Sequence, residues 1–196
     1  MNKIKINTKL RRLISFLVAG LFIGGVALAA LSNKVLLKGA MFTTSTVELK
    51  FLRNLSSNVE NENLTSELSG ISFDGITSDW ITNYPVKLVN KSGSSMNVSS
   101  YANYATANDP ASLRSSLNVE IFKWNDSNNN GVLDEGELGD SLGRKTFIKW
   151  KTEGFSLGSF EPNVVQSYVL QFTAESITDS KQGATGSFDF EFGVMN

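Results

Sequence analysis

Apolar and polar positions alternate in several short segments after residue 46, and this pattern predicts β-strands. In the first segment Val47, Leu49 and Phe51 alternate with Glu48 and Lys50, which is the period of a strand with one buried face. The same pattern predicts further strands at residues 71–73, 86–88, 117–121, 147–150, 168–172 and 188–194. Short strands separated by Gly-, Ser- and Asn-rich turns predict an all-β fold, a jelly-roll-like antiparallel β-sandwich.

The segments between these strands contain one helix signal. Asp109 is a good N-cap residue and Pro110 suits the first helical position, so we predict one short connector helix that ends near Ser116. Residues 54–66 are polar and rich in Asn and Ser, which predicts a long exposed loop. The 167 residues from position 30 onward are enough for one domain, 30–196, with its own core.

The beginning of the chain has the pattern of a secretory signal peptide. Five basic residues precede an uncharged apolar run, 13–28, and the run closes on Ala27-Leu28-Ala29. A basic head, an apolar helix and small residues before a cleavage point are typical of export signals. We therefore predict a signal peptide helix at 1–29, a signal peptidase as processing partner, and a secreted chain that begins at Ala30. An uncleaved membrane anchor is the alternative, because residues 13–31 approach the roughly 20 apolar residues that cross a bilayer.

Composition narrows the function classes. All 19 acidic residues lie beyond the predicted signal, together with 13 of the 18 basic ones, so the exported chain has a net charge of −6. An acidic surface argues against nucleic acid as a partner. The chain has neither Cys nor His, which excludes disulfides, Ser-His or Cys-His catalytic pairs and imidazole-bound zinc. Because the sequence shows no nucleophile–base pair, we expect that this chain is not an enzyme.

The clearest chemical motif is a twelve-residue loop, 126–137, that fits the EF-type calcium loop. Its predicted ligands share oxygen donors at the diagnostic spacing: Asp126, Asn128, Asn130, the backbone carbonyl of Val132, Asp134 and Glu137. Gly131 takes the tight bend between them. Because the flanking segments do not predict helices, we expect calcium to clasp a loop between two strands, with weak affinity typical of extracellular modules. A plain Asn/Gly turn without metal is the alternative.

Aromatic residues leave a second reading of the chain open. Rings can stack on sugar faces, although most belong to a sandwich core; the candidates are Trp80, Tyr84, Tyr101, Tyr104, Trp124 and Trp150. A monomeric calcium-dependent cell-surface adhesion or carbohydrate-binding module is thus one possible function. It is the alternative to a filament subunit, which the N-terminal arm at residues 30–42 suggests.

That arm, residues 30–42, carries apolar side chains that it cannot bury by itself: Val35, Leu36, Leu37, Met41 and Phe42. Added as a strand to the sheet edge of a second copy, it would satisfy the backbone groups of both chains. Because each subunit donates at one end and accepts at the other, the contact would not close and would yield a head-to-tail filament. Pairing within its own sheet, as an ordinary first strand, is the alternative.

Three stretches resemble the TasA/camelysin family of exported biofilm-matrix proteins. They are the rise from the cleavage point into the first strand (Ala40, Phe42, Thr46, Val47, Leu49), the turn at 90–94, and Gln182-Gly183 before the last aromatic strand. The resemblance implies an extracellular matrix fibre formed by donor strands, with other matrix or cell-surface components as partners and a dedicated signal peptidase. Camelysin was classed as a metallopeptidase, but this chain has no histidine from which such a zinc site could be made.

Overall fold

Strands dominate the computed structural model, which describes residues 47–194. Within that range there are nine strands and one α-helix. The strands are β1 (Leu49–Leu52), β2 (Leu64–Thr65), β3 (Ile81–Asn90), β4 (Met96–Asn103), β5 (Leu117–Trp124), β6 (Leu138–Thr146), β7 (Phe155–Phe160), β8 (Val165–Ala174) and β9 (Asp189–Val194). The helix, α1, spans Phe147–Glu153 and connects β6 to β7. The predicted all-β fold is therefore confirmed.

The strands form two antiparallel sheets. The larger sheet has the order β2-β1-β3-β8-β5-β6 and the smaller one β7-β4-β9. The pairing of β3 with β8 is the longest and runs in continuous register from Ile81 opposite Thr173 to Val89 opposite Val165. Apolar side chains of both sheets meet in one core cluster, so the two sheets pack as a sandwich, as predicted.

Aromatic rings from three elements fill the middle of this core. Trp150 of α1 is fully buried and stacks on Phe190 of β9 at 4.8 Å between ring centroids. Phe190 in turn stacks on Phe172 of β8 at 5.2 Å. Near the other end, the Tyr168 hydroxyl donates a hydrogen bond to the Leu157 carbonyl at 3.0 Å, and burial raises the pKa of Tyr168 to about 12. The tyrosine is therefore neutral in the core at physiological pH.

The turn after β3 is held by a side chain. Asn90 is fully buried, and its amide Nδ2 donates to the carbonyls of Ser94 and Phe160, each at 2.8 Å. Its Oδ1 accepts the backbone N–H of Ser92 at 2.8 Å. Because Phe160 ends β7, this one amide ties the larger sheet to the smaller one.

The predicted strand at 147–150 is wrong, since these residues begin α1. Thr146 caps the helix by accepting the backbone N–H of Lys149 at 3.2 Å. Phe147 and Trp150 are buried and three residues apart, while Ile148 is 41% exposed. Residues at i and i+3 share one helix face, so the burial follows the helical period. Gly154 ends the helix with φ of 66°.

The predicted helix from Pro110 to Ser116 is also wrong. Ser112 adopts a left-handed backbone with φ of 55°, which interrupts an α-helix, and only the 3-10 turn Leu113–Ser115 follows. Asp109 is not the N-cap residue of this turn, which is Ser112. Its carboxylate nevertheless holds the turn, because it accepts the backbone N–H groups of Leu113 at 2.7 Å and Arg114 at 3.1 Å.

Other predictions have mixed outcomes. No strand forms at 71–73; instead Phe73 packs its ring against Trp80 and Phe172. Residues 54–66 are a long, largely exposed loop, as predicted, but they include the 3-10 turn Asn61–Asn63 and the short β2. The alternation did not predict β2, β4, β6 or β7.

The N-terminal predictions concern residues that the structure does not describe. The signal peptide, its cleavage residues Ala27, Ala29 and Ala30, and the arm with Val35, Leu36, Leu37, Met41 and Phe42 all lie outside the described residues, and so does the predicted domain boundary at residue 30. Within residues 47–194, no helix has the length and apolar character needed to cross a membrane.

Candidate metal-binding loop

The EF-type loop connects β5 to β6, so strands flank it on both sides, as predicted. Its base is closed by the backbone N–H of Asn125, which donates to the carbonyl of Glu137 at 2.9 Å. In the chain between these residues, three positions have positive φ angles: Asn129 with φ of 55°, Gly131 with φ of 72° and Gly136 with φ of 85°. The loop therefore makes the sharp bend that the sequence predicted at its centre.

Asp126 organises the first half of the loop. Its Oδ1 accepts the backbone N–H of Asn130 at 3.1 Å, and its Oδ2 accepts that of Gly131 at 3.0 Å. Asn128 Oδ1 also accepts the N–H of Asn130, at 2.9 Å, and Asn130 Oδ1 accepts the N–H of Val132 at 2.7 Å. These side chains fold the backbone around themselves, as Asx turns do.

Gly131 is required at the bend for two reasons. Its φ of 72° is unfavourable for residues with a Cβ atom. A Cβ placed there would also lie 2.5 Å from the backbone N of Ser56 and 2.7 Å from the carbonyl carbon of Leu55. The metal-loop candidate therefore packs directly against the long exposed loop that follows β1.

Glu137 braces the far end of the loop from a buried position, with 6% of the residue exposed. Its Oε2 accepts the indole N–H of Trp124 and the backbone N–H of Asp134, both at 3.1 Å. Its Oε1 accepts the backbone N–H of Ser127 at 3.2 Å. The predicted twelfth ligand is thus fixed in place by donors from both ends of the loop.

Asp134 is held differently, by the two side-chain amides of the loop. Its Oδ2 accepts the Nδ2 groups of Asn128 at 2.9 Å and Asn130 at 2.7 Å. The amide oxygens of both residues each accept one backbone N–H and keep a second lone pair for a cation. The carboxylate of Asp134, however, contacts the nitrogen atoms of these amides and not their oxygen atoms.

The predicted ligands therefore fit a hard cation in part. The oxygen donors and the bend agree with calcium chemistry, and Val132, whose backbone carbonyl is a predicted ligand, is 58% exposed. Among residues 47–194, however, no three acidic side chains are grouped closely enough to hold a metal. Binding would require Asp134 to leave the amide nitrogens and join the oxygen donors.

The structure adds one charged residue that the sequence did not predict for this site, Lys87 of β3. Its Nζ lies 2.6 Å from Asp126 Oδ2 and donates to the carbonyl of Leu55 at 2.8 Å. It also lies 5.0 Å from the centroid of the Trp124 ring. The side chains of the ion pair are only 8% and 3% exposed, for Lys87 and Asp126 respectively. Its one sequence signal was a lysine inside the apolar run 86–89.

The environment of Asp126 favours its charged form. Burial by itself would raise the pKa of this carboxyl, but hydrogen bonds from Lys87, Gly131 and Asn130 together with the lysine charge outweigh it. The net result is a pKa below the ordinary value. The carboxylate is thus available as a ligand at neutral pH.

The aromatic side chains do not gather as one sugar-binding platform. Trp150 is fully buried in the sandwich core, which confirms the core assignment for this residue. Trp124 is 5% exposed and lies against Lys87 and Glu137 beside the candidate metal loop. Trp80 packs edge-on against Phe73. Tyr104 instead faces a cation, because Lys151 Nζ lies 4.4 Å from its ring centroid.

Comparisons with known proteins give no relative from which a function could be transferred. No protein-family model matches the chain, and no curated protein matches it. A function for this chain therefore has to be inferred from its own residues and their geometry.

Proposed function

We propose that this chain is an exported, non-enzymatic structural subunit that polymerises head to tail into extracellular matrix or surface filaments, with a calcium-binding loop that stabilises the sandwich. The observation that carries this proposal is an apolar sheet margin in the described residues. Among residues 47–194, β9 pairs only with β4 and lies at the edge of the smaller sheet. It carries the half-buried side chains of Phe190, Phe192 and Val194 on its core face.

The partly buried apolar side chains at the β9 edge contact those of β1 in the larger sheet. Phe192 packs edge-on against Phe51 of β1, with 5.3 Å between ring centroids. Leu49 of β1 is likewise only partly buried at the rim of the core. An added strand along β9 would cover these side chains and pair the free backbone groups of the edge.

The arm at 30–42 has the properties that such a strand needs. It is apolar at Val35, Leu36, Leu37, Met41 and Phe42, and signal peptidase cleavage before Ala30 would free its end. We propose β9 of a second copy as the acceptor. Since arm and acceptor edge are different surfaces, each subunit can bind one neighbour at each end, which produces an open filament.

Deleting residues 30–42 from the exported protein is expected to abolish filaments and leave soluble folded monomers. The strands described between residues 47 and 194 pair with one another in two sheets, so the fold should survive. Negative-stain micrographs and light scattering would measure assembly, and circular dichroism would check the fold. A matched control removes only residues 30–34, which leaves all five apolar arm residues in place and should still polymerise.

Two results would contradict the proposal. Filaments that persist after deletion of the arm would exclude donor-strand assembly. An intact exported protein that stays monomeric at every concentration would exclude the structural role, and glycan binding by that monomer would favour the adhesion module.

Calcium is expected to raise the melting temperature of the exported protein by roughly 5–10 °C when its concentration is about 100 times Kd. The reason is that a cation bound only to the folded loop stabilises the folded state. Scanning calorimetry in chelator and in calcium at that concentration measures the shift. Asp134→Asn should remove most of the shift. Glu135→Gln, which also removes one negative charge from the same exposed turn, should keep it. Equal melting temperatures in chelator and calcium would count against the site.

A further inference from the structure

The ammonium group of Lys87 is bound to the first residue of the proposed calcium loop in a buried position. It makes a 2.6 Å ion pair with Asp126, has no other charged partner among the described residues, and donates to the Leu55 carbonyl at 2.8 Å. The ring of Trp124 covers it at 5.0 Å. A lysine on the solvated face of a strand would extend into water, so the enclosure of this side chain is specific to its contact with the loop.

The contacts of Asp126 show what Lys87 contributes. Within residues 47–194, Oδ2 accepts from both Lys87 and the Gly131 N–H, while Oδ1 accepts only from the Asn130 N–H. A carboxylate has about four lone-pair sites, so one site on Oδ1 is still free. The lysine thus neutralises the carboxylate without filling the position at which a cation would bind.

We infer that Lys87 is a built-in counter-cation that keeps the loop folded without metal and raises the calcium concentration at which the loop fills. This inference rests on the proposed calcium site. Two physical effects have the same sign. A calcium ion entering the loop must share Asp126 with an ammonium group, and like charges in a poorly solvated site repel each other. The ion pair also stabilises the metal-free loop, so calcium binding lowers the free energy of the loop by a smaller amount.

The coupling extends to the exposed loop after β1. Lys87 binds the Leu55 carbonyl, and Gly131 packs against the backbone of Leu55 and Ser56. One side chain therefore links the cation loop to the segment that leaves β1. A change in the Lys87–Asp126 pair is expected to be felt at both loops.

Titration calorimetry with calcium chloride on the exported protein tests the inference. Lys87→Met removes the charge and should tighten calcium binding by about tenfold or more, the effect of one nearby charge on a binding equilibrium. Lys87→Arg keeps the charge and should bind close to wild type. Lys123→Met, which removes an exposed lysine three residues before Asp126, gives the same change in net charge and should leave the affinity unchanged.

The melting temperature in chelator provides a second measurement. Lys87→Met should melt below wild type without calcium and recover when calcium is added, whereas Lys123→Met should match wild type in both conditions. If Lys87→Met does not fold even with calcium, Lys87→Gln replaces it, because the amide can still donate to the Leu55 carbonyl.

The outcomes separate this inference from the proposed calcium site. Equal calcium affinities for wild type and Lys87→Met would overturn the role of Lys87 and keep the site. Binding by Lys87→Met, with none by wild type, Lys87→Arg or Lys123→Met, would support the inference in its strongest form. No binding by any variant up to about 10 mM calcium, ten times the weakest dissociation constant expected, would overturn both.

Discussion

Trp150→Ala is expected to lower the free energy of unfolding by about 3–5 kcal/mol. Trp150 is fully buried and stacks on Phe190, and its ring also contacts Phe147, Phe155 and Phe172. Its indole N–H has no hydrogen-bond partner among the described residues, so the loss comes from packing and from the cavity left behind. Urea denaturation followed by circular dichroism measures it.

A control on the same helix separates packing from helix propensity. Ile148 is 41% exposed, so Ile148→Ala should change the free energy of unfolding by less than about 1 kcal/mol. Equal effects of the two substitutions would show that the helix does not pack on the sandwich as described. Trp150→Phe should fall between them, because it keeps a ring and adds no unpaired polar group.

Asp126→Ala is expected to destabilise the protein by about 3 kcal/mol, at the lower end of the range for breaking a buried ion pair. The substitution leaves the Lys87 ammonium enclosed without its carboxylate and removes the acceptor of the Asn130 and Gly131 N–H groups. We expect the lower end of the range because the loop that covers the ion pair is itself solvated: Ser56, next to Leu55, is exposed. Water can therefore solvate part of the unpaired ammonium group. Chemical denaturation in chelator measures the effect without any metal contribution.

A double variant and a pH series test the cause of this loss. Adding Lys87→Met to Asp126→Ala should restore part of the stability, because it removes the unpaired charge. The pKa of Asp126 is lowered in the folded state, so its contribution is complete above the unfolded pKa of about 3.9 and is lost as pH falls through the folded value. The difference between wild type and Asp126→Ala should therefore be constant near neutral pH and shrink below about pH 4. A difference that grows with acid would contradict the ion-pair explanation.

The strands that alternation predicted correctly are those with a clear apolar face. β1, β3, β5, β8 and β9 all follow that pattern. β4 escaped prediction because the apolar alternation of Met96, Val98 and Ala102 is interrupted by Ser100, a polar residue that is nevertheless buried. β6 has almost no apolar alternation and is a strand because β5 pairs with it. Pairing with a neighbour, a tertiary effect, decided these two strands.

The helix α1 shows the limit of short patterns. Four residues, 147–150, fit a strand and one helical turn equally well, and the deciding signals were the Thr146 cap and the Gly154 terminus. Both are present in the sequence. A longer window that includes both Thr146 and Gly154 would have favoured the helix.

The candidate site divides in the same way. Its bend and the hydrogen bonds of Asp126, Asn128 and Asn130 follow from local sequence, because all partners lie within five residues. Lys87 lies 39 positions before Asp126, and strand alternation placed it on the solvent side. The loops at 55–56 and 126–131 cover that side of β3, which no local pattern could indicate.

The opposite margin of the larger sheet has a consequence for how copies could associate. β6 is an edge strand within residues 47–194, carries exposed Asp140 and Arg144, and shifts register twice against β5. Charges and irregular backbone at an edge discourage a second sheet from docking side by side. Filaments assembled as proposed above would accordingly stay separate threads and would not merge into ribbons or bundles through that margin.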